Sequence, residues 1–203
     1  MARTANALYI ARMRATPLSP LILMSDPDRI PNIYAAAKRL PYGAAVIYRH
    51  FGKAGHRDEA IRLRQITFAR GQQLLIGADP KLAIEVGADG VHFRRDAEVA
   101  LPNLWRRRCP DWIITMAGLK GGAEYRGDLT RLDGLIVSSV FASQSPSAGN
   151  PIGVEAFMAM CRDLPVSVIA LGGIHSGNVG QLIGSGAAGL AGVSGILSRS
   201  QTR

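Results

Sequence analysis

The sequence predicts an α/β protein, a single (β/α)8 TIM barrel, and three observations carry that prediction. Eight short apolar runs recur along the 203 residues at near-even spacing, and they are apolar throughout rather than alternating. Buried parallel strands read that way. A segment that reads as a helix follows nearly every run. The last two runs end in glycines: Val168 to Leu171 runs into Gly172-Gly173-Ile174, and Gly189 to Ala191 into Gly192-Val193-Ser194-Gly195. Such turns let bare N–H groups approach an anion, and the last two βα units of a barrel hold phosphate in this manner. An open doubly wound sheet is the competing architecture. Two glycine turns this late in the chain favour the barrel.

Residues 1–18 read as a leading helix or flexible basic N-terminus. Arg3, Arg12 and Arg14 stand there with no acid before Thr16, a composition that also suits a transit peptide. Leu8, Ile10, Ala11 and Met13 give the helix reading its apolar surface. The barrel takes residues 19–203. Its first strand is Pro20 to Met24, closed by Ser25-Asp26-Pro27, and Asp28 is the expected cap of a helix carrying Ile33, Ala36, Ala37 and Leu40. Ala44 to Tyr48 is the second strand, followed by Arg49-His50-Phe51-Gly52-Lys53 and a helix from Asp58 to about Arg70. Gln73 to Ile76 is the third, turning through Gly77-Ala78-Asp79-Pro80 into a short helix. Gly90 to Phe93 is the fourth, with a helix near Ala97 to Trp105, and Trp112 to Thr115 is the fifth. Periodicity fades between Gly118 and Asp133, where a short helix is expected. Leu135 to Ser138 is the sixth strand, leading into a loop rich in Ser, Pro and Gly and a helix from Val154 to Cys161. Val166 to Ala170 is the seventh, Ser176 to Ile183 a short helix, and Gly189 onward the eighth.

Composition narrows the function. Twenty-four Lys and Arg against fifteen Asp and Glu give a net charge of +9, which favours anionic partners: small phosphorylated substrates, acidic proteins, or nucleic acid nonspecifically. No motif or aromatic–basic interleaving points to specific nucleic-acid binding, and Arg106-Arg107-Arg108 reads as a solvated helix end. No apolar run has the length of a membrane span. Cys109 and Cys161 are the only cysteines and have no metal spacing, so a cytoplasmic, reducing compartment is the simplest setting.

Four segments together resemble the thiamine phosphate synthase/TenI family: Ala88-Asp89-Gly90-Val91-His92, Ser138 to Ser145, Ala170 to Ile174, and Gly192 to Ile196. The resemblance runs from Leu21 to Leu197. It implies a (β/α)8 barrel that forms a homodimer or larger assembly. The synthases of this family join hydroxymethylpyrimidine pyrophosphate to thiazole phosphate, releasing pyrophosphate with the help of Mg²⁺. The TenI branch tautomerises a thiazole carboxylate phosphate with a histidine as acid and base. By resemblance, Gly172, Gly173, Ser194 and Gly195 correspond to the cradle for the thiazole phosphate, and Ser143 and Ser145 to loop hydroxyls that touch it. Arg49 corresponds to the arginine that meets the pyrophosphate; Arg49 and Ser143 are thus the candidate catalytic residues.

Other positions depart from the family. Its lysine beyond the arginine has no direct match; Phe51 stands there and Lys53 lies two residues on. The Asn-Asp after the third strand is replaced by Gly77-Ala78, with Asp79 one residue late. Ala97 holds the place of the Mg²⁺ aspartate, with Asp96 one residue early. Asp79 and Asp96 are therefore the metal candidates, on a one-residue slip. The TenI histidine falls near Leu119, followed by Lys120. Mg²⁺ requires oxygen ligands in near-octahedral array, so loss of both carboxylates weakens its site. Arg94, Arg95, Lys53 and Lys120 are candidates to neutralise a pyrophosphate without metal, since arginine binds phosphate oxygens bidentately. His92 reads as structural, while His50 and His175 stay open. Four readings follow: a divergent synthase, a non-catalytic or regulatory phosphate-ligand binder of the same fold, a TenI-like tautomerase, which Leu119 disfavours, and an unrelated phosphate-handling barrel chemistry, since fold and phosphate site do not fix the reaction.

Overall fold

A computed structural model describes residues 17–118, 128–145 and 148–197. Eight parallel strands close in sequence order into a barrel: β1 (Leu21–Met24), β2 (Ala45–Tyr48), β3 (Gln73–Gly77), β4 (Gly90–Phe93), β5 (Ile113–Ala117), β6 (Gly134–Val137), β7 (Val168–Leu171) and β8 (Gly189–Gly192). Closure is made by β8 on β1, with Leu21 opposite Leu190 and Leu23 opposite Gly192. Ile22, Leu23, Ile47, Leu74, Leu75, Ile76, Ile114, Leu135 and Ile136 are all buried, which is why the runs read as continuous. Gly90 answers a close strand approach: a Cβ there would lie 1.9 Å from the Ile113 carbonyl oxygen.

Among the described residues, five α-helices lie between the strands: α1 (Ile33–Arg39), α2 (His56–Ala69), α3 (Pro80–Glu85), α4 (Ala100–Arg108) and α5 (Gly153–Asp163). Shorter 3-10 turns span Leu129–Arg131, Val179–Leu182 and Gly195–Leu197. Two aspartates clamp the barrel in the same way. Asp89 accepts from the Leu74 N–H and from Arg64 on α2. Asp133 accepts from the Ile114 N–H and from Arg106 on α4. Each carboxylate joins the N-terminal end of a strand to an outer helix.

Several element boundaries differ from expectation. Asp28 does not cap α1; Asn32 does, its Oδ1 accepting from the Ala35 N–H at 2.9 Å. Asp26 instead accepts from the N–H groups of Asp28 and Arg29, folding 26–29 into a turn that delays the helix. Helix α4 begins at Ala100 rather than near Ala97. Pro102 lacks an N–H and fits only the first turn, so a start at Ala97 would break the ladder. After β7 only one 3-10 turn forms, because Gly177, Gly180 and Gly184 lower helix propensity and Asn178 is engaged elsewhere. The leading helix falls within residues 1–16, outside the described residues, as do Leu119, Lys120 and most of the expected helix between Gly118 and Asp133.

Candidate functional site

The C-terminal ends of β1, β2, β6, β7 and β8 surround a cavity of about 580 Å³. This is the end of a barrel where loops of different strands converge and chemistry is placed. Ser138 and Ser139, Ser143 and Ser145, Gly172 to His175, and Ala191 to Gly195 line one side; Met24, Arg29 and Arg49 line the other.

The glycine side is built by three interlocked loops. Val140 and Phe141 donate backbone N–H bonds to the carbonyls of Leu171 and Gly172, at 3.0 and 3.1 Å. Gly173 has φ +67°, and a Cβ on it would stand 2.2 Å from the Ala142 carbonyl oxygen. A Cβ on Gly195 would stand 2.6 Å from the Ile174 carbonyl oxygen. Both glycines therefore sit where close packing of the loops leaves no room for a Cβ. Among the described residues, no group accepts a hydrogen bond from the Gly173 or Ser194 N–H. Asn178 holds the β7 loop in shape, donating from Nδ2 to the Gly173 carbonyl and accepting from the His175 N–H, both at 2.8 Å. The Ser143 hydroxyl accepts from the Ser145 N–H at 3.3 Å, turning both serines within the cavity wall.

The opposite side is cationic. Arg49 is fixed at its backbone, where its N–H donates to Ser25 Oγ at 2.6 Å, and at its guanidinium, where Nε and Nη2 donate to the Ser25 carbonyl. Asp26 lies 3.8 Å from Arg49 and receives Nε and Nη2 of Arg29 at 3.1 and 3.0 Å. Burial opposes ionisation of the Asp26 carboxyl, but hydrogen bonds from Arg29 and the charges of Arg29 and Arg49 outweigh it and hold its pKa below the usual value. For Arg49 the larger influence is burial, which lowers its pKa against the raising effect of Asp26. One carboxylate thus holds two guanidiniums at the rim, leaving a net positive wall.

The predicted cations divide between cavity and surface. Arg49 is in the wall. Lys53 turns away to Glu59, at 3.6 Å. Arg94 is exposed and grips Asp96 with two bonds of 2.9 and 2.8 Å, so these two residues satisfy each other outside the cavity. Arg95 donates to the Gly118 carbonyl at 2.8 Å and does not line the cavity. Arg29 was not singled out in the sequence. Its signal lay in the Asp26-x-x-Arg29 spacing of a turn rather than a helix.

The carboxylate positions implied for Mg²⁺ do not fit that ion. Ala78 and Ala97 offer no ligand, and Asp96 is turned to Arg94. Asp79 caps α3, its Oδ1 accepting from the Leu82 N–H at 2.9 Å. His92 is fully buried, with Nδ1 3.0 Å from Thr115 Oγ1, and burial together with the charge of Arg49 lowers its pKa to about 3. It is a neutral core residue, as its motif suggested.

The family model described as thiamine monophosphate synthase matches residues 22–196. A thiamine-phosphate synthase of Chloroflexus aurantiacus is 29% identical over 152 residues, 70% of this chain and 65% of that protein. One of Chromobacterium violaceum is 30% identical over 208 aligned residues, 87% of this chain and 93% of that protein. Among solved structures, a thiamine phosphate pyrophosphorylase from Pyrococcus furiosus superposes with a TM-score of 0.70 at 20% identity, covering 89% of this chain and 88% of that one. At that identity the superposition shows the fold alone.

Proposed function

The chain belongs to the thiamine monophosphate synthase family, and from that premise we propose that it joins hydroxymethylpyrimidine pyrophosphate to thiazole phosphate, releasing pyrophosphate and forming thiamine phosphate. One observation carries the reading: the glycine-rich loops after β7 and β8 and the Arg29–Arg49 pair line one and the same cavity. Two phosphorylated half-substrates need two anion-holding ends facing one another. The cradle of Gly172, Gly173, Ser194 and Gly195, with Ser143 and Ser145, takes the thiazole phosphate through backbone N–H groups and hydroxyls. Arg49 and Arg29 take the pyrophosphate, with Asp26 fixing their direction.

The reaction forms a bond from the thiazole nitrogen to the pyrimidine methylene carbon as the carbon–oxygen bond to pyrophosphate breaks. Negative charge gathers on the leaving group, where prepositioned guanidiniums are most effective. Mg²⁺ at the family's carboxylate positions is not part of this account, since those carboxylates are absent. A homodimer or larger assembly, on family resemblance, and a cytoplasmic location, on the cysteine usage, complete the reading.

The test is product formation by the purified chain from both half-substrates, with Mg²⁺ and with chelator, thiamine phosphate being detected by fluorescence after oxidation. Product that persists in chelator supports the arginine-based site. Product that requires Mg²⁺ overturns the metal-free account and keeps the synthase. No product in either condition, with thiazole phosphate still bound, favours the non-catalytic binder.

A further inference from the structure

Beside the cavity, three residues from three different elements converge. His50 follows β2, His56 opens α2, and Asp79 caps α3. Each brings one ligand atom to within 4.8 Å of the others. We propose that His50, His56 and Asp79 form a binding site for a divalent transition-metal ion of the zinc class. The inference concerns the metal alone and stands apart from the synthase reading.

The donor set decides the class of ion. Two imidazoles and one carboxylate suit zinc, cobalt and their neighbours, whereas Mg²⁺ is an oxygen-seeking ion that imidazole serves poorly. Three protein ligands leave coordination positions open to water or to an anionic oxygen. All three residues are half-buried, so an ion can enter from solvent.

Local bonds orient the donors. His56 Nδ1 lies 2.7 Å from the Lys53 carbonyl oxygen, so it carries the proton and leaves the Nε2 lone pair for a metal. A backbone carbonyl on the far ring nitrogen is the usual outer support of a ligating histidine. The Leu82 N–H fixes Oδ1 of Asp79, while Oδ2 faces His50 Nε2 at 3.4 Å. The two imidazoles stack with centroids 4.4 Å apart and planes 18° from parallel. His50 Nδ1 accepts from the Gly52 N–H at 3.1 Å, which places the His50 proton on Nε2, toward the carboxylate. An ion at Nε2 requires the neutral ring to carry its proton on Nδ1 instead, so metal binding shifts the tautomer and gives up the bond from the Gly52 N–H. Nearby cations do not oppose it unscreened: Lys53 is paired with Glu59 and Arg57 with Glu85.

The experiment is titration of the purified full chain with Co²⁺, a spectroscopic stand-in for zinc, followed by visible absorption and calorimetry. One equivalent is expected to bind with a ligand-field spectrum, to be displaced by stoichiometric Zn²⁺, and to be indifferent to excess Mg²⁺. His56→Gln and Asp79→Asn should each weaken binding by about tenfold or more. Asparagine keeps the helix cap, so Asp79→Asn separates metal loss from misfolding, and circular dichroism of both variants checks the fold. Absence of the spectrum, or a spectrum and affinity unchanged in both variants, overturns the proposal. Metal binding without thiamine phosphate formation would leave this site standing and sink the synthase reading instead.

Discussion

Gly77 and Arg49 are in contact across the C-terminal ends of β3 and β2. A Cβ on Gly77 would lie 2.9 Å from Cγ of Arg49 and 3.2 Å from the Tyr48 carbonyl oxygen. The family carries an asparagine where Gly77 stands, and here the arginine stem fills that space. Gly77→Asn should push Arg49 from the Ser25 carbonyl and cut thiamine phosphate formation by about tenfold or more, a loss of at least ~1.4 kcal/mol in transition-state stabilisation. Steady-state kinetics checks this; an unchanged kcat/KM for the pyrimidine substrate would show that Arg49 does not meet it.

Gly173→Ala tests the cradle. The new Cβ meets the Ala142 carbonyl oxygen, and φ +67° disfavours any L side chain. The β7 and β6 loops must separate, costing about 1–3 kcal/mol of stability. Thiazole phosphate affinity, by calorimetry, should fall alongside the thermal midpoint. A variant that melts lower yet binds as before would assign Gly173 to packing alone.

Ala78 has φ +58°, a left-handed backbone on a residue with a Cβ, and its N–H donates to the His92 carbonyl at 2.8 Å. Ala78→Gly removes the steric cost of that conformation, about 1–2 kcal/mol, against a larger unfolded-state entropy. Net stabilisation of up to about 1 kcal/mol is expected in urea unfolding. Destabilisation would show that the methyl group itself makes a valued contact.

His92 gives the chain a pH dependence of defined sign. Its folded pKa is about 3 against an ordinary value of 6.5, so between those values the unfolded chain binds more protons. The stability of the neutral buried ring is fully present above pH 6.5 and is lost as pH falls toward 3, at up to about 1.4 kcal/mol per pH unit. In His92→Asn that slope should vanish, so the stability gap between wild type and variant narrows as pH falls from 7 to 4. A gap constant with pH would mean that His92 is not the titrating group.

Much of the fold was legible because burial on both faces leaves an unmistakable pattern. A strand covered by its neighbours and by an outer helix is apolar at most positions, as Leu74, Leu75 and Ile76 are, and its buried polar residues are hydrogen-bonded, as Gln73 and His92 are. The tight turns after β7 and β8 were legible for a similar reason: close backbone approach at Gly173 and Gly195 admits no Cβ, and the chain records that as glycine. Helix starts were harder, because Asp28 and Asn32 are equally good caps and only the Asp26 turn decides between them.

The sequence by itself determined the eight buried strands and the glycine turns that end the last two, since each follows from which atoms a residue type has or lacks, and these favoured the barrel that the structure shows. The tertiary structure alone decided which charges face inward. Arg49 and Arg94 both follow a strand, yet one is braced by the Ser25 carbonyl in the cavity wall and the other closes on Asp96 in solvent. The meeting of His50, His56 and Asp79 was equally hidden. Long side chains take their direction from partners contributed by other loops, and those partners become neighbours only when the barrel closes.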